Sequence, residues 1–186
     1  MPETPWNPTK AQVLAAAGKT LSDVIGPAPR VLFVGINPGL YTAAIGHHFG
    51  RPGNRFWPVL HQSGFTERRL SPFDERELLP LGLGITNFVA RATATAAELT
   101  PDELRTGARE LERKIVRFRP HFVASVGVQA YRTGFARPKA SIGLQPETLA
   151  GARLWVLPNP SGLQAHYQLP ELVRLFAELR EASDLQ

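Results

Sequence analysis

Val31-Leu32-Phe33-Val34-Gly35-Ile36, followed at once by Asn37-Pro38-Gly39, is the stretch on which the fold turns. The run has no polar alternation, which is how a strand buried on both faces reads. Pro38 sets its own φ and Gly39 permits φ above zero, so the chain leaves the strand in a tight turn that puts one amide side chain, Asn37, at the mouth of the sheet. A plain turn would need no more than this. Outward from the first strand, expected over Arg30 to Ile36, three further apolar runs predict buried strands: Gly84 to Phe88, Phe122 to Val126 and Leu154 to Leu157. Helical periodicity lies between them. Over Pro101 to Phe118, the residues Leu104, Ala108, Leu111, Ile115 and Phe118 recur at spacings of three and four, after a capping box of Thr100 and Glu103 with Pro101 at the first turn. Pro170 to Ala182 carries Leu172, Leu175, Phe176 and Leu179 on one side, and shorter helices are expected at Arg55 to Ser63 and Val128 to Phe135. Strands alternating with helices predict an α/β fold: three layers, α/β/α, around a central four-stranded, mainly parallel sheet. Functional loops of such sheets collect at the carboxyl ends of the strands.

The 186 residues suit one domain, divided here into an N-terminal extension over 1–19 and a single domain over 20–186. With no cysteine, disulfides, thiolate zinc sites, cysteine-ligated iron–sulfur clusters and a cysteine nucleophile are excluded. The apolar runs are too short to cross a bilayer, and Met1 to Pro5 lack the charged head and apolar core of a signal peptide, so a soluble, cytoplasmic protein without membrane contact is expected. Lys and Arg total 21 against 16 Asp and Glu, a net charge of +5. The resulting pI near 10.1 is a footprint of polyanion binding. Arg105, Arg109, Arg113 and Arg117 on the long helix read most simply as a solvated face.

Two further segments complete a candidate site. Gly46-His47-His48-Phe49-Gly50-Arg51-Pro52-Gly53-Asn54-Arg55-Phe56-Trp57 interleaves aromatic, basic and glycine residues without helical or strand period, which suits a base-stacking platform beside phosphates. Phe56 and Trp57 are expected to anchor the following helix. His47 and His48 have no third histidine or carboxylate at ligand spacing, so no metal is expected. The fourth strand runs out into Pro158-Asn159-Pro160-Ser161-Gly162-Leu163-Gln164. On a stiff loop, Leu163 either packs inside or stands in solvent as a wedge between base pairs.

Taken together these segments resemble the mismatch-specific uracil-DNA glycosylases, which include the thymine-DNA glycosylases. The likeness rests on Gly35 to Leu40, on Gly46 to Phe49 with Pro52 to Trp57, on Gly84 to Asn87 and on Pro158 to Leu163, in family order over about residues 20–180. The resemblance implies a monofunctional hydrolase of base excision repair. It would flip uracil out of a G:U mispair in duplex DNA and leave an abasic site, with no cofactor and as a monomer. It assigns Asn37 to positioning the attacking water and Phe49 to stacking on the everted base. Ile36, Gly39, Thr42 and Asn87 would surround that base. Leu163 would be the wedge, with Asn159, Ser161, Gly162 and Gln164 around it and on the opposite strand.

Faster relatives carry a carboxylate in the first motif and a histidine in the last, where Asn37 and Asn159 stand here. An amide accepts no proton near neutral pH, and a positioned acid or base is worth about 10²–10⁴-fold, so a slow enzyme favouring mispairs is expected. Relatives often carry an acidic residue at the position of Ala90, which puts a carboxylate contribution from that loop in question. A non-catalytic nucleic-acid-binding module is the alternative. A small-molecule hydrolase is weaker still, since no G-x-S-x-G elbow is present.

Overall fold

A computed structural model of the chain describes residues 5–163 and 166–185. Four strands lie parallel at the centre: β1 (Val31–Gly35), β2 (Leu83–Asn87), β3 (Phe122–Val126) and β5 (Ala152–Leu157). A fifth, β4 (Gly143–Leu149), pairs antiparallel with β5, giving the order β2-β1-β3-β5-β4. The expectation of four strands is therefore corrected to five. Gly-Leu-Gln-Pro-Glu-Thr-Leu hides β4 because Pro146 cannot donate to a ladder and is tolerated only at an edge or a bulge. Both conditions are met, since the register shifts between Leu144 and Thr148.

Alternation along the strands sorts their side chains into two cores. Val31, Phe33, Leu83, Ile85, Phe122, Ala124, Trp155 and Leu157 face α3 (Phe56–Gln62), α6 (Leu169–Asp184) and a 3₁₀ segment, Pro72–Leu81. Leu32, Val34, Val123, Leu154 and Val156 face α4 (Pro101–Phe118) and α5 (Val128–Gly134). The protein is thus a three-layer α/β/α sandwich. Phe33 meets Phe56 and Phe65 edge-on with centroids 5.4 Å apart, a favoured aromatic geometry. Gly107 lets α4 approach the sheet, because a Cβ there would lie 2.1 Å from the Phe88 carbonyl oxygen.

The long helix begins as read. Thr100 Oγ1 accepts from the Glu103 amide while the Glu103 carboxylate accepts from the Thr100 amide. Its arginines are tied to their own helix: Arg105 to Asp102, Arg109 to Thr106, Arg113 to Glu110, with Arg117 over the Phe118 ring. Three elements absent from the sequence reading complete the frame: α2 (Leu40–Ile45), the 3₁₀ segment Pro72–Leu81 and a short 3₁₀ turn, Ala96–Glu98. At the N-terminus, α1 (Lys10–Leu14) is followed by Ala16, which is buried with Ala43 and Ala92. Residues 18–24 bond along the β2 side, through Gly18 and Lys19 to Ala92 and through Val24 to Ile85.

Candidate active site

The carboxyl ends of β1, β2, β3 and β5 open onto a cavity of about 380 Å³. That volume lies within the roughly 300–1,000 Å³ of small-ligand sites. Ile36, Asn37, Gly39, Thr42, Phe49, Asn87, Asn159, Ser161 and Leu163 all line it. Gly162 instead lines an adjoining cleft of about 240 Å³ with Arg51 to Asn54. Gln164 lies outside the described residues.

Asn37 owes its stance to the β2 loop. Hydrogen bonding between the two strands continues past their ends, from Phe88 N to Gly35 O, Val89 N to Ile36 O and Thr93 N to Pro38 O. This lays residues 88–93 beside the Asn-Pro-Gly turn. The carboxamide nitrogen of Asn37 then donates to Arg91 O (3.0 Å) and to Thr93 Oγ1 (2.7 Å). A carbonyl can only accept, and the Thr93 hydroxyl spends its own proton on Thr95 O at 2.7 Å. The atom facing them is therefore nitrogen, and the amide oxygen of Asn37 is the acceptor left for a ligand of the cavity. Arg91 is itself anchored, its guanidinium forking onto both Glu103 oxygens at 2.6 and 3.0 Å. That fork, together with the Thr100 amide, holds the Glu103 carboxyl down to about 2.

A second network fixes Asn87. His48 is buried, and its Nε2 lies 2.9 Å from Ser22 O, so Nε2 carries the proton and Nδ1 is the acceptor. Nδ1 lies 3.5 Å from the Asn87 amide nitrogen, a long contact that sets the sense of that amide as well. Burial pushes the His48 ring below its ordinary value, with Glu75 acting in the opposite direction. Glu75 accepts from the His48 amide at 2.8 Å and meets His47 Nδ1 at 3.0 Å. Gly35 makes room for all this, since a Cβ on it would lie 2.4 Å from Asn87 Oδ1.

Phe49 adopts φ of 50°, a left-handed backbone uncommon outside glycine and typical of functional loops. One face of its ring is covered by Phe56, stacked at 3.9 Å. The Thr42 hydroxyl accepts from the Gly50 amide and so braces this loop from below. Phe56 and Trp57 are buried, as expected of core anchors. Across the cavity, Asn159 Oδ1 accepts from the Ser161 amide and tightens the last turn. Leu163 stands out of it, 74% exposed. Of the two stances open to this leucine, the structure has the solvent-facing one.

No Asp or Glu lines the cavity among the described residues, and Ala90 faces a separate cleft. Among the described residues no group of three His, Cys, Asp or Glu is placed to hold a metal ion, and no helix is long and apolar enough to cross a membrane. Sequence reasoning missed Thr93 and Thr95 and gave His48 and Arg51 no individual role within the Gly46–Trp57 segment, yet all four line the cavity. The first two follow the second strand at its carboxyl end, and that position was their only signal. Glu103 was read as a helix cap, but its hold on Arg91 was not foreseeable from spacing.

The model of the uracil DNA glycosylase superfamily matches residues 22–181, nearly the whole of the sandwich, and the chain belongs to that superfamily.

Proposed function

We propose that this DNA glycosylase removes uracil, and related pyrimidines, from G:U mispairs in duplex DNA by hydrolysis directed by Asn37. The observation that carries the reading is the wired carboxamide: both N–H bonds of Asn37 are committed to Arg91 and Thr93, and its oxygen is left beside a cavity that no carboxylate lines among the described residues. Such an oxygen accepts a hydrogen bond from a water molecule and turns that water's lone pair outward, a positioning effect rather than base catalysis. The bond from C1′ to N1 breaks with its electron pair leaving on uracil, and the water oxygen bonds to C1′. One water proton stays as the new 1′-hydroxyl and the other passes through solvent to the uracil anion.

Phe49, backed by Phe56, offers a stacking surface for the everted base. The carbonyls of Ile36, Pro38 and Gly39 already accept bonds from Val89, Thr93 and Ala43. Backbone N–H groups are then the natural partners of the uracil oxygens, and the amide of Asn87 serves its remaining edge. Such preset donors stabilise the departing anion. Leu163, in solvent at the rim, fills the vacated stack. Without a positioned base the enzyme is slow, and it favours mispairs, where unpairing is already partly achieved.

The test is a labelled duplex with one U:G pair, incubated with protein and then treated with alkali. Strand cleavage only after alkali supports a monofunctional glycosylase. Cleavage without alkali argues against the monofunctional assignment, and tight binding with neither product supports the non-catalytic module.

A further inference from the structure

We infer that Arg55 is a positioning residue that sets the stance of the Leu163 loop and couples it to the base-stacking loop, which deepens the function proposed above and rests on it. Arg55 stands directly before α3, where the buried ring of Phe56 fixes its backbone and also backs Phe49. From there its guanidinium reaches the loop after β5. Nε donates to Pro160 O (3.3 Å), Nη2 to Ser161 O (2.8 Å) and Nη1 to Tyr167 O. Its backbone amide also donates to Pro160 O at 3.0 Å. These carbonyls lie on both stems of the loop, before and after Leu163, so one planar fork closes its base.

The two loops are also in direct contact. A Cβ on Gly162 would lie 2.5 Å from the Gly53 carbonyl oxygen, so the backbones touch where only glycine fits. Leu163 itself, being exposed, draws no stance from packing. What aims it is the Arg55 fork, with the short bonds of Asn159 and Ser161 inside the turn. Phe49 and Leu163 are therefore tied to one another through Arg55 and its neighbour Phe56. Base capture and insertion of the wedge are geometrically linked through residue 55. Lysine cannot replace this arginine, because an ammonium has no planar fork to span three carbonyls.

The test compares wild type with Arg55→Lys and Arg55→Gln on two substrates, uracil in a U:G duplex and uracil in a single strand. Misplacing a positioned group by about 1 Å costs up to about 10²-fold. Duplex kcat/KM is expected to fall by ten- to a hundredfold in both variants while single-strand kcat/KM stays within about threefold, because a single strand leaves no stack to fill. In a Leu163→Ala background the Arg55 substitutions should add little. Equal losses on both substrates, no loss on the duplex, or full additivity with Leu163→Ala would overturn the inference. Hydrogen exchange of the 160–168 peptide supplies a readout independent of turnover. It should quicken in Arg55→Gln while the β1 peptide is unchanged, and an unaltered 160–168 rate would count against the clamp. If wild type releases uracil from neither DNA, the proposed function fails, and the exchange data still decide the clamp.

Discussion

Asn37 and Leu163 line the same cavity but are held by different means. The wall carrying Asn37 is a continuation of the sheet: backbone bonds run on past β1 and β2, and two side-chain networks lock its amides, one from Asn37 to Thr93 and to the Glu103-anchored Arg91, the other between His48 and Asn87. The loop carrying Leu163 lies beyond the end of β5, and its described residues are tied by Arg55 and two short turns. The difference matches the two tasks proposed for these residues. Orienting a water tolerates little error, whereas an apolar wedge must stay in solvent until DNA arrives, at the cost of an exposed leucine.

Perturbing each side separately tests whether the division is real. On the wedge side, Leu163→Ala should lower duplex turnover by about tenfold or more, since stacking contacts are worth about 1–3 kcal/mol each. Single-strand turnover and Tm should not move, and a fall in Tm would mean that Leu163 packs in the fold. On the other side, Thr93→Val removes a hydrogen bond worth about 0.5–1.5 kcal/mol and should slow turnover by roughly two- to tenfold on both substrates alike. Loss confined to the duplex would erase the contrast between the two walls.

Acid should act on the Asn37 wall through His48. Its value is lowered in the fold, so near pH 6 the unfolded chain binds the proton more readily, and stability rises with pH. The contribution is complete above the ordinary imidazole value of about 6.5 and is lost as pH falls from there through the lowered value of the folded ring, where Nδ1 takes up a proton and ceases to accept from Asn87. Single-turnover rates between pH 8 and 5 should hold level and then decline on the acid side, and a rise on acidification would contradict the tautomer. The smallest effect belongs to Arg51, exposed at the cavity rim where Arg55 and Arg91 spend their guanidinium groups on protein. Arg51→Gln should reduce the salt slope of DNA affinity by about one and leave the rate on bound substrate unchanged.

Much of this molecule can be read from its residues, for reasons that differ along the chain. The four parallel strands are legible because burial on both faces removes polar alternation, and α4 because Thr100, Pro101 and Glu103 mark its start. Edge strand β4 is not, because one exposed side tolerates proline and charge. In the site, Asn37, Phe49 and Leu163 stand on turns with strong local signatures. Thr93, His48 and Arg55 do not, since their roles depend on partners far away in sequence: Asn37, Ser22 and the Pro160–Tyr167 loop.

Single-turnover release of uracil from a U:G duplex by Asn37→Ala, measured beside its affinity for that duplex, tests the role of this amide most directly. If the amide holds the attacking water, the rate should fall by about 10²–10³-fold, as when a preorganised polar group is deleted, with affinity within a few-fold of wild type. A variant that releases uracil at the wild-type rate would contradict the account.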